Sequence, residues 1–116
     1  MSEYKVIFHI DELDKWKLLL RNVSNLLDFI GGEKFFIEVL ANSEAVEYYK
    51  KNQNKDLDIN VIESLYKKGV KFVACNNALV AYNIKVDDLI QFVNVVPVGV
   101  LELIMKQSEG YAYLKP

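Results

Sequence analysis

A chain of 116 residues, 52% of them hydrophobic, is long enough for one complete core and too short for two ordinary domains. Its formal charge of −2, with lysines interleaved among acids, lacks the electrostatic footprint of a nucleic-acid binder, and no apolar run approaches the roughly 20 residues that span a bilayer. The single cysteine cannot close a disulfide within the chain, and residues 1–5 lead into a strand pattern without signal-peptide organisation, so a cytoplasmic protein is expected.

Short apolar runs then alternate with helical periods. Residues 4–10 form the first expected strand, in which the consecutive apolar Val6, Ile7 and Phe8 suit a central position covered on both faces. Asp11 to Asp14 place acids near the positive end of a helix whose Trp16, Leu19, Leu20, Val23, Leu26, Leu27 and Ile30 recur at three- and four-residue steps until Gly31-Gly32. Residues 34–41 read as the second strand, followed by Asn42 and Ser43 as the turn and cap of a short helix carrying Ala45, Val46 and Tyr49. Residues 50–56 contain no apolar side chain and read as a solvated loop. Asn60 and Glu63 have the spacing of a capping box, with Ile62, Leu65 and Tyr66 as the buried face of the helix that ends at Gly69.

The third strand is expected over residues 70–74, a short helix over 76–82, a turn or single helical turn over 83–88, and the fourth strand over 91–96. Pro97 suits the first position of a helix over 98–108, with Val100, Leu101, Ile104 and Met105 as its buried set and Gly110 as its end. Residues 111–114 make a short last strand. Five strands alternating with helices imply one α/β domain over 1–116: a mostly parallel, flavodoxin-like sheet with right-handed crossovers and helices on both faces.

In such a sheet, reactive groups collect where a strand's carboxyl end meets a helix start, which is the place of Cys75. Backbone amides from about Asn76 to Ala78 and the helix dipole would stabilise a thiolate there; the competing reading is a free cysteine that packs as a small hydrophobe. His9 lies near the end of the first strand, expected to neighbour the third, and could hydrogen-bond the thiol or a ligand, or be a satisfied core histidine. Asp11 either reaches into the cleft or caps the first helix. Asn76 and Asn77 either orient a substrate through their amides or serve as helix-start residues. Pro97 and Gly99 belong to a corner expected at the same sheet edge as Cys75, where Gly99 permits close backbone approach. One histidine, one aspartate and one cysteine are too few for a zinc site, and a lone cysteine rules out a dithiol couple within one chain.

The strand ending in His-Ile-Asp, the segment Gly-Val-Lys-Phe-Val-Ala-Cys75-Asn-Asn-Ala-Leu, the corner Asn-Val-Val-Pro97-Val-Gly99-Val, and the end Gln107-Ser-Glu-Gly-Tyr-Ala-Tyr-Leu-Lys-Pro116 resemble the DsrE/DsrF-like family, specifically its small stand-alone members. The resemblance extends over most of the chain. It implies a flavodoxin-like fold, homo-oligomers such as trimers or hexamers with a dimer as the smaller alternative, and a cysteine, matched by Cys75, that carries persulfide sulfur between donor and acceptor proteins without a cofactor.

Two functions of different classes follow. One is a sulfur-relay protein with Cys75 as the carrier; the other is a non-catalytic homo-oligomeric module that binds a small ligand while Cys75 packs. FMN binding is disfavoured because Asp11-Glu-Leu-Asp14 follows the first strand where a flavodoxin needs a hydroxyl- and glycine-rich phosphate loop. Aspartyl phosphorylation at the third strand's end is excluded because that position holds Cys75. The apolar content and seven tyrosines of so small a chain also favour association of copies.

Overall fold

The computed structural model describes residues 3–51 and 59–116. Its elements are the strands β1 (Glu3–Ile10), β2 (Lys34–Ala41), β3 (Lys71–Cys75), β4 (Asn94–Val96) and β5 (Ala112–Leu114), and the helices α1 (Trp16–Ile30), α2 (Ile59–Lys67), α3 (Asn76–Ala81) and α4 (Gly99–Ser108). Among the described residues, three 3₁₀ segments, Leu13–Lys15, Ser43–Tyr49 and Val86–Asp88, lie in the connections. Most elements start and stop within a residue or two of where periodicity places them. The fourth strand is an exception, being confined to Asn94–Val96 because residues 91 and 92 form a turn.

The strand order is β4-β3-β2-β1-β5, and every pairing is parallel. Three successive crossovers step outward from β1, and the fourth returns across the whole sheet to place β5 on the free side of β1. Reversing the direction of travel while keeping a right-handed crossover moves the connecting helix to the opposite face. Among the described residues, the helices and 3₁₀ segments of the first three crossovers therefore share one face, and α4 has the other to itself. β1 lies between β2 and β5, so His9 does not neighbour the third strand as expected.

The larger core occupies the first face, where Val6, Phe8, Ile10, Ile37, Val39, Ala41, Phe72 and Ala74 point toward α1, α2 and α3. Trp16 anchors it: its ring stacks on Tyr48 at 4.4 Å, meets Tyr49 edge-on at 5.3 Å, and its indole N–H donates to the Ala45 carbonyl at 3.0 Å. Each aromatic thus buries a large area while its polar atom keeps a partner. The second face is thin. Ile7, Leu40 and Val73 meet Leu103 of α4, with Val96 and Tyr111 partly buried beside them.

A ten-residue helix is roughly 15 Å long, too short to roof five strands. This scarcity of neighbours overturns one expectation: Val100, Leu101, Ile104 and Met105 are about half exposed, and Gly99 and Leu103 are the buried residues of α4. Pro97 precedes the helix instead of starting it, since Val98 is the N-cap and Gly99 the first helical residue. Asn60 lies inside α2, so it does not cap that helix, and Tyr66 is exposed on one side while stacking on Phe92 at 4.2 Å. Of the expected loop over 50–56, residues 52–56 fall outside the described residues. Among the described residues no helix is long and apolar enough to cross a membrane.

Candidate functional site

Cys75 is the last residue of β3 and the N-cap of α3, paired in register with Val96 of β4. The Val-Pro-Val corner after β4 turns the chain back over this edge, and the first residue of α4 lands on the cysteine. The Gly99 N–H donates to Cys75 Sγ at 3.3 Å. A side chain at Gly99 would be tight: a β-carbon there would lie 3.1 Å from Cys75 Cβ, with Sγ at 3.4 Å and Leu40 Cδ2 at 3.6 Å in ordinary contact. Glycine permits the close approach here.

The donor to the sulfur is therefore an amide of α4, where the sequence pointed to those of α3. Gly99 N–H is one of the four amides without an intrahelical acceptor at that helix's start, and the sulfur satisfies it. Cys75 is only 6% exposed, roofed by the α4 first turn.

The remaining expected residues divide into two groups. Pro97 and Gly99 share the corner over Cys75; Asn76 is half-buried and Asn77 exposed at the start of α3. His9 and Asp11 lie elsewhere along the edge. His9 is in register with Leu40 of β2, which pairs with Val73 of β3, two residues before Cys75. At about 4.8 Å per strand and 3.3 Å per residue, the His9 and Cys75 α-carbons are roughly 12 Å apart. Both ring nitrogens of His9 are engaged, Nδ1 with the Tyr113 hydroxyl at 2.6 Å and Nε2 with Asn42 Oδ1 at 3.0 Å. Since Asn42 Oδ1 can only accept, Nε2 carries the proton and Nδ1 accepts from Tyr113 in the neutral ring. Asp11 does not cap α1; it pairs with Lys115 at 3.0 Å.

The residue that sequence reasoning missed is Glu38. It stands between Phe36 and Leu40 on the α4-facing side of β2 and is 2% exposed, with no hydrogen-bond partner for Oε2. Burial, then a hydrogen bond with Glu102 and the repulsion of that residue's charge, raises its carboxyl from 4.5 to about 8, while Lys106 and Lys71 pull the other way. Lys106 is itself held above its ordinary value: partial burial opposes its charge, but Glu38, Tyr111, Glu109 and Glu102 outweigh it. A carboxyl in a strand covered on both faces was the available signal.

A cavity of about 340 Å³, lined by Phe8, Asn22, Leu26, Leu114, Lys115 and Pro116, opens at the carboxyl end of β1 and β5. It lies on the α1 face, apart from Cys75. Among the described residues, no three His, Cys, Asp or Glu side chains are grouped to hold a metal ion.

Comparisons with known proteins agree with this architecture. The model of the DsrE/DsrF-like family matches residues 21–116. The chain is similar to MTH1491 of Methanobacterium thermoautotrophicum, a structure described as that of a protein of unknown function, with 36% identity, a TM-score of 0.86, and coverage of 97% of this chain and 99% of that one. It also shares its fold with the ychN protein of E. coli, at 16% identity and a TM-score of 0.82, again covering 97% and 99% of the two chains. No curated protein matches the chain.

Proposed function

The chain belongs to the DsrE/DsrF-like family, and from that premise we propose that it is a sulfur carrier, holding persulfide sulfur on Cys75 and passing it between thiols. The observation that carries the reading is the Gly99 N–H aimed at Cys75 Sγ from 3.3 Å, at the carboxyl edge of the sheet. It places a fixed hydrogen-bond donor against the sulfur that would carry the transferred atom. The Cys75 thiolate attacks the outer sulfur of a donor persulfide. The donor's S–S bond breaks, its inner sulfur leaves as a thiolate, and Cys75 becomes a persulfide. In the second step an acceptor thiolate attacks that outer sulfur, and the Cys75 thiolate departs. One sulfur moves in each step with no net oxidation, so the sequence of steps calls for no cofactor. A reducing, cytoplasmic setting with separate donor and acceptor proteins suits it.

The carrier is further proposed to be a homo-oligomer, a trimer or hexamer in preference to a dimer, with a second copy covering Val100, Leu101, Ile104 and Met105. These four residues form a contiguous apolar face on the helix that roofs the site, and leaving it in water is unfavourable.

Incubation with glutathione persulfide tests the chemistry. The native protein is expected to gain the mass of one sulfur atom and to release it to cyanide as thiocyanate, and Cys75→Ser to gain none. The alternative, a ligand-binding module in which Cys75 packs, draws support from the burial of the thiol and from the separate cavity at Phe8 and Leu114. Failure of the native protein to take up sulfur would overturn the carrier reading.

A further inference from the structure

The α4 first turn covers the sulfur, so access to Cys75 depends on what holds that helix to the sheet. Its attachments are few. Gly99 rests on Cys75 and Leu40, Leu103 joins the small cluster with Ile7, Leu40 and Val73, and Glu102 meets Glu38. Glu102 is three positions from Gly99 and Lys106 seven, so all three lie on one stripe of the helix. Glu38 is in register with Lys71 on β3 and with Ile7 on β1. The charged groups facing it are thus Glu102 and Lys106 from α4 and Lys71 from β3; Tyr49, in the layer on the other side of the sheet, also feels its charge. Keeping a carboxyl 2% exposed, with an oxygen that has no partner, away from water favours its neutral form.

We propose that the Glu38 and Glu102 carboxyls form a proton-dependent latch that holds α4 over Cys75 and so determines when the sulfur can be reached. With a proton between them the two carboxyls tie strand to helix. Once that proton is released to solvent, the buried Glu38 carboxylate faces that of half-buried Glu102, and the first turn of α4 lifts to let Glu38 regain water, uncovering Cys75. The purpose of the latch rests on the sulfur-carrier reading, but its operation does not.

The direction of the effect follows from linkage. Glu38 titrates near 8 in the closed form and near its ordinary 4.5 once it is open to water. Opening is therefore favoured by up to roughly tenfold per pH unit between those two values and levels off above them.

The test is the rate of Cys75 alkylation by iodoacetamide in native protein and in Glu38→Gln, a neutral mimic of the protonated side chain. Ionisation of the thiol itself cancels in the ratio of the two rates. That ratio, native over variant, is expected to rise by roughly tenfold or more from about pH 6 to about pH 8 and to flatten beyond. A constant ratio overturns the latch. Where Glu38→Gln does not fold, Lys106→Met serves instead: removing a cation that favours the carboxylate carries the rise past about pH 8, so the variant-over-native ratio climbs there. A constant ratio in that comparison also overturns the latch. Sulfur uptake with a flat alkylation ratio would remove the latch and leave the carrier; the reverse pair of results would remove the carrier and leave the latch.

Discussion

Gly99 lies so close over Cys75 that a β-carbon added to it would sit 3.1 Å from the cysteine's own β-carbon. That neighbour belongs to a side chain with one rotatable bond on a central strand, so it cannot swing aside. Gly99→Ala should push the α4 start outward by a few tenths of an ångström and lengthen the N–H to sulfur contact. Overpacking costs about 1–3 kcal/mol, and the gain of alanine over glycine in a helix returns up to about 1 kcal/mol, so a net loss of about 1 kcal/mol is expected in urea unfolding. The same variant should alkylate faster at Cys75 than the native chain at every pH.

Stability should fall as pH rises, contrary to the usual behaviour of proteins with paired carboxylates. The folded-state value of Glu38, about 8, lies above its ordinary 4.5. Its contribution to stability is therefore fully present below 4.5 and is lost progressively until the pH passes about 8. The loss is on the order of a few kcal/mol, and Glu38→Gln should abolish most of it. Urea midpoints measured at about pH 5 and about pH 8 check this, and equal slopes with pH for both proteins would count against it.

The exposed face of α4 gives a third expectation. Ile104→Glu replaces a half-exposed side chain and should change the stability of an isolated chain by no more than about 0.5 kcal/mol. If copies associate through this face, a carboxylate there should convert the assembly into monomers in light scattering at micromolar concentration, while the native chain stays associated. A native chain that is already monomeric removes the association from the account.

What was legible in the sequence is what local pattern controls. The apolar triplet Val6-Ile7-Phe8 marked β1 as central, and it is central. The three- and four-residue steps of α1 named its buried face, of which Trp16, Leu19, Leu20, Val23, Leu27 and Ile30 are buried and Leu26 partly so. Cys75 and Gly99 were placed at one edge, and they touch. What failed depended on the order in which strands assemble. His9 was set beside the third strand, but β2 intervenes. The apolar positions Val100, Leu101, Ile104 and Met105 read as the buried set of α4, yet burial needs a partner layer, and among the described residues the fourth crossover leaves this helix alone on its face. Glu38 escaped notice for the same reason: only the return of α4 over β2 turns an ordinary strand glutamate into a buried acid facing Glu102.

The return of the chain to β1 also bears on how the protein folds. β1 pairs with β2, β2 with β3 and β3 with β4 across separations of a few tens of residues, while Val6 meets Ala112 over more than a hundred. Closing the larger loop costs about 1 kcal/mol more in chain entropy than closing the shorter ones, for a ladder of only three residue pairs. Until β5 docks, one edge of β1 stays open along its length, as the last and most distant contact in a search whose earlier steps are local. On a ribosome that edge waits for residues 112–114 to emerge, which makes β1 the strand most exposed to pairing with a neighbouring nascent copy before its own partner arrives.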